Sequence, residues 1–300
     1  MNRLEFGQLV AALRQDLGWI QFKLAEVADV DEAVISQMER GVKRHFEPEL
    51  LFNLANAFQL TTLERREFFL AASGLDQNQI VRQQSAATTT DVFNVRRVLE
   101  KMAELTAQVR LPAFLCDVYS DVLCVNQIML AFFNPSPEYL QGIEQIPGGF
   151  NTVRYNFGKD LQARSRIVGD WDNYALNSMR AFRENSLRYR AKPYFKYLMK
   201  IFRNPVEYPL FDRYWKMVSS VERDKEANAD YFAYGHPEFG AVCYTSSTTV
   251  SITSFGELFL VQYLPLDEQT SLLFEQLAKS TKQEAVNFAP WPVKIFPREG

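Results

Sequence analysis

Two groups of side chains in this 300-residue chain have types suited to recognition chemistry. Between positions 21 and 44, the Gln37 amide donates and accepts at once, which is what an adenine edge pairs with. The Ala33 methyl suits a thymine methyl, and the Glu32 carboxylate can accept from a cytosine amino group. Gln21, Arg40, Lys43 and Arg44 beside them are donors and cations of the kind that hold phosphates. Further on, Arg154 and Arg180 each present the planar fork that pairs a carboxylate bidentately. They lie in a stretch, 154–223, with 15 lysines and arginines against 7 acidic residues. Other chemistry has little to start from. The only histidines are His45 and His236, and GxSxG, GxxxxGK with Ser or Thr, GxGxxG after a strand and HExxH are all missing, so no enzyme is expected. Cys116, Cys124 and Cys243 are an odd number without CxxC spacing, so neither a disulfide framework nor a metal site is expected.

Positioning the first group takes short helices. Phe6, Leu9, Val10, Leu13 and Leu17 recur at helical spacing and Gly18 follows where a C-cap glycine would sit. Gln21 opens a second pattern with Phe22, Leu24, Ala25 and Ala28 apolar, which stops at Asp29-Val30-Asp31. Asp31 can N-cap a third helix that turns Val34, Ile35 and Met38 inward and ends at Gly41. Pro48 suits the first turn of a fourth, with Leu51, Leu54, Ala55 and Phe58 on one side, and 64–72 before Gly74 makes a fifth. Two short helices joined by a tight turn are a helix-turn-helix signature.

The run QFKLAEVADVDEAVISQMERG resembles the Xre, or lambda-repressor-like, helix-turn-helix, with Gln21, Leu24, Ala25, Ile35, Ser36, Glu39 and Gly41 in register; the match covers 3–74. The resemblance implies that Arg14 pairs with Glu39 and that the third helix enters the major groove of double-stranded DNA. That puts Glu32, Ala33 and Gln37 at bases, and Gln21, Arg40, Lys43 and Arg44 at phosphates. Asp29 stands where the family carries Gly, at a turn position that often needs a left-handed residue; Asp tolerates it. Residues 1–75 hold 8 cations against 11 acids, so phosphate contacts should be few. Useful affinity is then expected from a homodimer reading a palindromic operator, its half-sites about 34 Å apart.

At 47% apolar, 23% charged and 14% aromatic the chain is globular, and its length is about twice the ~150 residues of a usual domain. It opens with no signal-peptide pattern and has no apolar run near the ~18 residues of a membrane span, so a soluble, cytoplasmic protein is expected. A Gln-, Ser- and Thr-rich stretch divides it: 1–75 is the helix-turn-helix domain, 76–93 a linker between independent domains, and 94–300 a second domain that holds all 13 tyrosines.

That second domain starts with Val95, Val98, Met102, Leu105 and Val109, a two-heptad seam that fits either a dimerisation helix or one laid across a sheet. A hairpin about Ser120-Asp121, a short helix at 126–133, aromatic-rich helices over 154–220, strands from Tyr231 turning at 236–240, and a closing helix at 268–278 follow. Two strands, helices, then three strands is a PAS-like layout. The expected architecture is multi-domain: an all-α five-helix DNA-binding domain, then an α+β PAS-like domain with a helical insertion.

With Asn126, the run Asn151-x-x-Arg154-x-x-Phe157, Asp170-Trp171, Arg180 and His236-Pro237-x-x-Gly240 in order after an Xre motif, the whole chain resembles the MmyB-like transcription regulators. The resemblance implies a small-molecule sensor domain. Aromatics plus cations suit an apolar tail with an anionic head, a lipophilic, fatty-acid-like ligand. Arg154 and Arg180 are the expected carboxylate clamp and Asn126, Tyr155 and Trp171 its lining, with no cofactor besides. The seam helix, between the domains, is expected to transmit the ligand signal. His236 is expected to make a structural hydrogen bond in its turn. The alternative is a C-terminal interaction or dimerisation module that binds no small ligand.

Overall fold

The computed structural model describes residues 1–43, 45–74, 95–144, 146, 149–159, 162–220 and 231–297. The stretch assigned to a linker, 76–93, and Arg44 lie outside them.

The N-terminal region is helical: α1 Arg3–Asp16, α2 Gln21–Ala28, α3 Glu32–Glu39, α4 Pro48–Ala57 and α5 Thr62–Ser73. Local chemistry sets the ends. Asn2 with Glu5 and Thr61 with Glu64 form capping boxes on α1 and α5, and the Asp31 carboxylate accepts from the Ala33 amide at 2.7 Å to cap α3. Asp29 ends α2 at φ 52° and ψ 50°, the left-handed conformation its place in the turn requires. Leu9, Val10, Leu24, Ile35, Met38, Leu54 and Phe68 form the buried core; each such side chain contributes about 1.5–3 kcal/mol. Gly7 has a further role there, because a Cβ on it would come within 2.2 Å of the Met38 carbonyl oxygen, so α1 and α3 cross at backbone contact. Of the apolar residues of the second helical pattern, Leu24, Ala25 and Ala28 are buried and Phe22 is 59% exposed.

Next come α6 Val95–Gln108, the hairpin β1 Ala113–Asp117 and β2 Val122–Asn126, and α7 Gln127–Phe133. An insertion follows: α8 Pro137–Glu144, α9 Thr152–Phe157, α10 Gln162–Arg166, a short β3 Ile167–Val168, α11 Trp171–Ser186, a 3-10 turn Leu187–Tyr189, α12 Pro193–Phe202 and α13 Phe211–Ser220. Then β4 Tyr231–His236, β5 Gly240–Thr253, β6 Gly256–Pro265, α14 Glu268–Ser280 and β7 Ala285–Asn287 complete the described elements. The strands form one antiparallel sheet in the order β3-β4-β5-β6-β1-β2-β7. An all-helical unit is thus followed by an α+β unit with a helical insertion.

Of the two readings of the seam helix, the sheet-packed one holds. Met102 of α6 is buried against Leu115, Leu123, Cys124 and Leu258, while Leu105 is 40% exposed. The helix at 268–278 does not close the domain. After it β7 pairs with β2, and Lys294 of the C-terminal tail reaches Asp117 at 2.5 Å and Asp121 at 2.7 Å.

The two units meet in a buried contact. Glu64 of α5 is fully buried between Arg183 of α11, two N–O contacts of 3.2 Å, and Arg190. Leu187 joins the core of the helix-turn-helix unit, and Asp16 accepts from the Trp215 indole at 3.0 Å and pairs with Arg203. The direct contact between the units therefore involves α11, the turn after it, the end of α12 and α13.

Candidate functional site

Helix α3 has two faces set by its sequence. Ile35 and Met38 point into the core, so Glu32, Ala33 and Gln37, which fall off that face, are exposed. The helix is held by the expected pair: Arg14 Nε and Nη2 donate to the two Glu39 oxygens at 2.6 and 2.9 Å, and Arg14 Nη1 donates to the Trp19 carbonyl at 2.6 Å. The Gln21 amide also donates to Glu39, at 2.7 Å. Gln21 thus ties the start of α2 to the end of α3. Arg40 is exposed beyond the helix, while Lys43 pairs with Glu47 at 3.2 Å.

In the second unit a cavity of about 590 Å³ lies between the sheet and helices α7, α8, α9 and α11. Phe114, Phe259, Val261 and Tyr263 supply the sheet wall, and Met129, Phe133, Leu140 and Ile143 the helical one. The volume falls in the range of small-ligand pockets. Ala181 and Thr248 on its lining are exposed, so the cavity reaches solvent.

Most of its polar groups are neutral. Burial pushes the phenols of Tyr155, Tyr174, Tyr244 and Tyr263 well above the ordinary tyrosine range, so they remain hydroxyls, and burial likewise pushes the Cys116 thiol up. Tyr174 donates to Asn156 Oδ1 at 2.9 Å and Asn156 donates to Ser178 at 3.1 Å. The cations on the wall are Arg154 of α9 and Arg180 of α11, the latter 7% exposed and donating to Asn177 Oδ1 at 3.1 Å. Two guanidiniums thus line a chamber whose other described groups are aromatic, aliphatic and neutral polar, apart from the Glu184 carboxylate.

Two expected lining residues are elsewhere. Asn126 is buried and its amide is fully occupied: Oδ1 accepts from Ala113 and Met129 amides at 3.1 and 2.9 Å, and Nδ2 donates to Val109 and Leu111 carbonyls at 3.1 and 2.7 Å. It ties β2 to the end of α6 and leaves no atom for a ligand. Trp171 packs on Phe157 and Tyr174 in the core of the insertion, behind the cavity wall. His236 is structural, as expected. Its Nε2 donates to the Phe132 carbonyl at 2.8 Å, and its Nδ1 accepts from the Glu238 and Phe239 amides. Residues the sequence reading did not select also line the cavity, among them Asn177, Glu184 and Asn185. Their signal was present: Asn177, Arg180 and Glu184 recur at the 3–4 spacing of one helix face.

Comparison with known families fits both halves. A helix-turn-helix model matches residues 10–65, and the model described as the MmyB-like transcription regulator ligand binding domain matches 95–277. The chain belongs to the MmyB-like transcription regulators. No curated protein matches it. As a member of that family it is a DNA-binding transcription regulator with a ligand-binding domain. No described helix is long and apolar enough to cross a membrane.

Proposed function

We propose that this MmyB-like regulator binds a lipophilic molecule with an anionic head, fatty-acid-like in kind, and that its occupancy governs the reading of a palindromic operator by a homodimer. The observation that carries the ligand class is the presence of both Arg154 and Arg180 on the wall of a chamber with a large aromatic and aliphatic lining and a single carboxylate among its described lining residues, Glu184. A guanidinium holds a carboxylate bidentately, and the chain gains from apolar burial at about 0.8 kcal/mol per CH₂. On the DNA side, Glu32, Ala33 and Gln37 face solvent together, and a module so acidic needs two half-sites to bind tightly.

The test is calorimetric titration of the full chain with decanoate, beside the Arg154→Ala/Arg180→Ala variant. The expected result is saturable binding by the parent, weakened at least tenfold in the variant. Equal affinity would remove the carboxylate clamp. Absence of any binding, together with no small molecule released in native mass spectrometry, would favour an interaction module instead.

A further inference from the structure

Helix α11 faces both functional parts of the molecule. Arg180, Ala181 and Glu184 line the cavity, while Arg183, on the adjoining face, enters the clamp around Glu64 of α5. Glu184 belongs to both sides: its Oε1 also accepts from the Thr61 hydroxyl at 2.8 Å. Thr61 is the N-cap of α5, whose Oγ1 accepts from the Glu64 amide at 3.2 Å and whose own amide donates to Glu64 at 2.9 Å. The start of the last helix of the DNA-binding unit is therefore hydrogen-bonded to a carboxylate in the cavity wall.

We propose that the Thr61–Glu184 contact is a latch whose strength the cavity's occupant sets, an anionic head group loosening it. The proposal rests on the reading of the cavity as a site for lipophilic anions. Arg180 and Glu184 are i, i+4 neighbours, with Cβ atoms about 5–6 Å apart. A carboxylate drawn to Arg180 brings a second negative charge beside Glu184 in the cavity wall. Glu184 then turns from it, and the acceptor that holds Thr61 moves. A ligand shifts an equilibrium only through different affinity for its two states, and here the difference is the repulsion felt in the latched state alone. Coupling is reciprocal: whatever factor the anion takes from the latch, the latch takes from the anion's affinity. Thr61 and Glu184 are positioning residues in this scheme.

The experiment is calorimetric titration of the full-length protein with decanoate and with 1-decanol, comparing the parent with Thr61→Ala and Thr61→Ser. Hydrogen exchange at 61–65 is followed in parallel. Thr61→Ala should bind decanoate at least about fivefold tighter than the parent, the low end of usual coupling, while Thr61→Ser, which keeps the hydroxyl, should match the parent. The uncharged 1-decanol should not distinguish the three proteins. Decanoate should speed exchange at 61–65 in the parent. Decanoate binding equally to all three proteins, with exchange at 61–65 unchanged, would overturn the latch and leave the ligand class standing. Failure of both probes to bind any of them would overturn the latch and the ligand class together.

Discussion

Glu64 offers the sharpest test of how the two units are held. It is a carboxylate with no exposed surface, and its partners Arg183 and Arg190 are 5% and 3% exposed, so Glu64→Ala leaves two buried guanidiniums sharing one lost counter-charge. Removing one partner of such a buried set costs about 3–5 kcal/mol, most of it the stranding of the charges left behind. The α5 capping box goes with it, for roughly another 1 kcal/mol. At 1.4 kcal/mol per factor of ten, the clamp should open more than about a hundredfold more often. Hydrogen exchange read by mass spectrometry on peptides covering 182–190 reports that opening, with the β5–β6 hairpin as an internal control expected to be unaffected. A triple variant, Glu64→Leu with Arg183→Met and Arg190→Leu, should recover most of the protection, because apolar groups of similar volume replace the ions. Protection within about threefold of the parent in Glu64→Ala, or a triple variant no better than the single one, would refute the claim that charge holds this interface. The pH dependence has a definite sign as well. Burial alone would raise the Glu64 carboxyl, but Arg190 and Arg183 outweigh it and hold it below the usual glutamate range. A depressed carboxylate contributes stability that is present above its unfolded value, about 4.3, and lost as pH falls through the lower folded value. The clamp should thus be intact through neutral and mildly acidic pH and fail only in stronger acid.

Other expectations are narrower. Gln37→Ala should cost about 1–3 kcal/mol of discrimination at one base pair in a binding assay across operator variants, without altering the salt slope, whereas Arg40→Ala should reduce that slope by about 0.9. Asn126→Ala should lower unfolding stability by at least 1–3 kcal/mol, since it orphans buried Ala113 and Met129 amides, yet leave decanoate affinity unchanged. Burial pushes Asp117 up to about 6 even beside Lys294, so in Lys294→Met the cost of ionising it appears as pH rises through and above that value. Denaturant titrations of that variant should show a larger loss of stability at pH 8 than at pH 5.

The helix-turn-helix was legible because its determinants are local: caps, a left-handed turn at Asp29 and the 3–4 spacing of Leu24 with Ala28 and of Ile35 with Met38. The cavity was legible in part. Arg154, Tyr155 and Arg180 do line it, but nothing in residue type separates an Asn that anchors a ligand from one that anchors backbone, and Asn126 spends all its hydrogen bonds on the joint between α6 and β2. Trp171 fails for a related reason: an aromatic in an aromatic-rich helix faces cavity or core according to tertiary packing. Short strands were missed because β3 has two residues and β7 three, too few for an alternation to show.

The contrast between an acidic first unit and a basic insertion was visible in the sequence, and the structure supplies its meaning. Arg183, Arg188, Arg190, Lys192 and Arg203 of the insertion pair with Glu64, Glu67, Glu5 and Asp16 of the helix-turn-helix unit. Five of the cations that would look like a nucleic-acid footprint in a whole-chain count are thus spent within the molecule. This division has a consequence for regulation. Because the acids that dock on the insertion would repel a phosphate backbone, and the cations that neutralise them belong to the ligand-binding unit, any loosening of the contact changes the field around the helix-turn-helix unit. Arg183 and Glu184 lie on one helix, so any displacement of α11 would act on the buried clamp and the polar latch together.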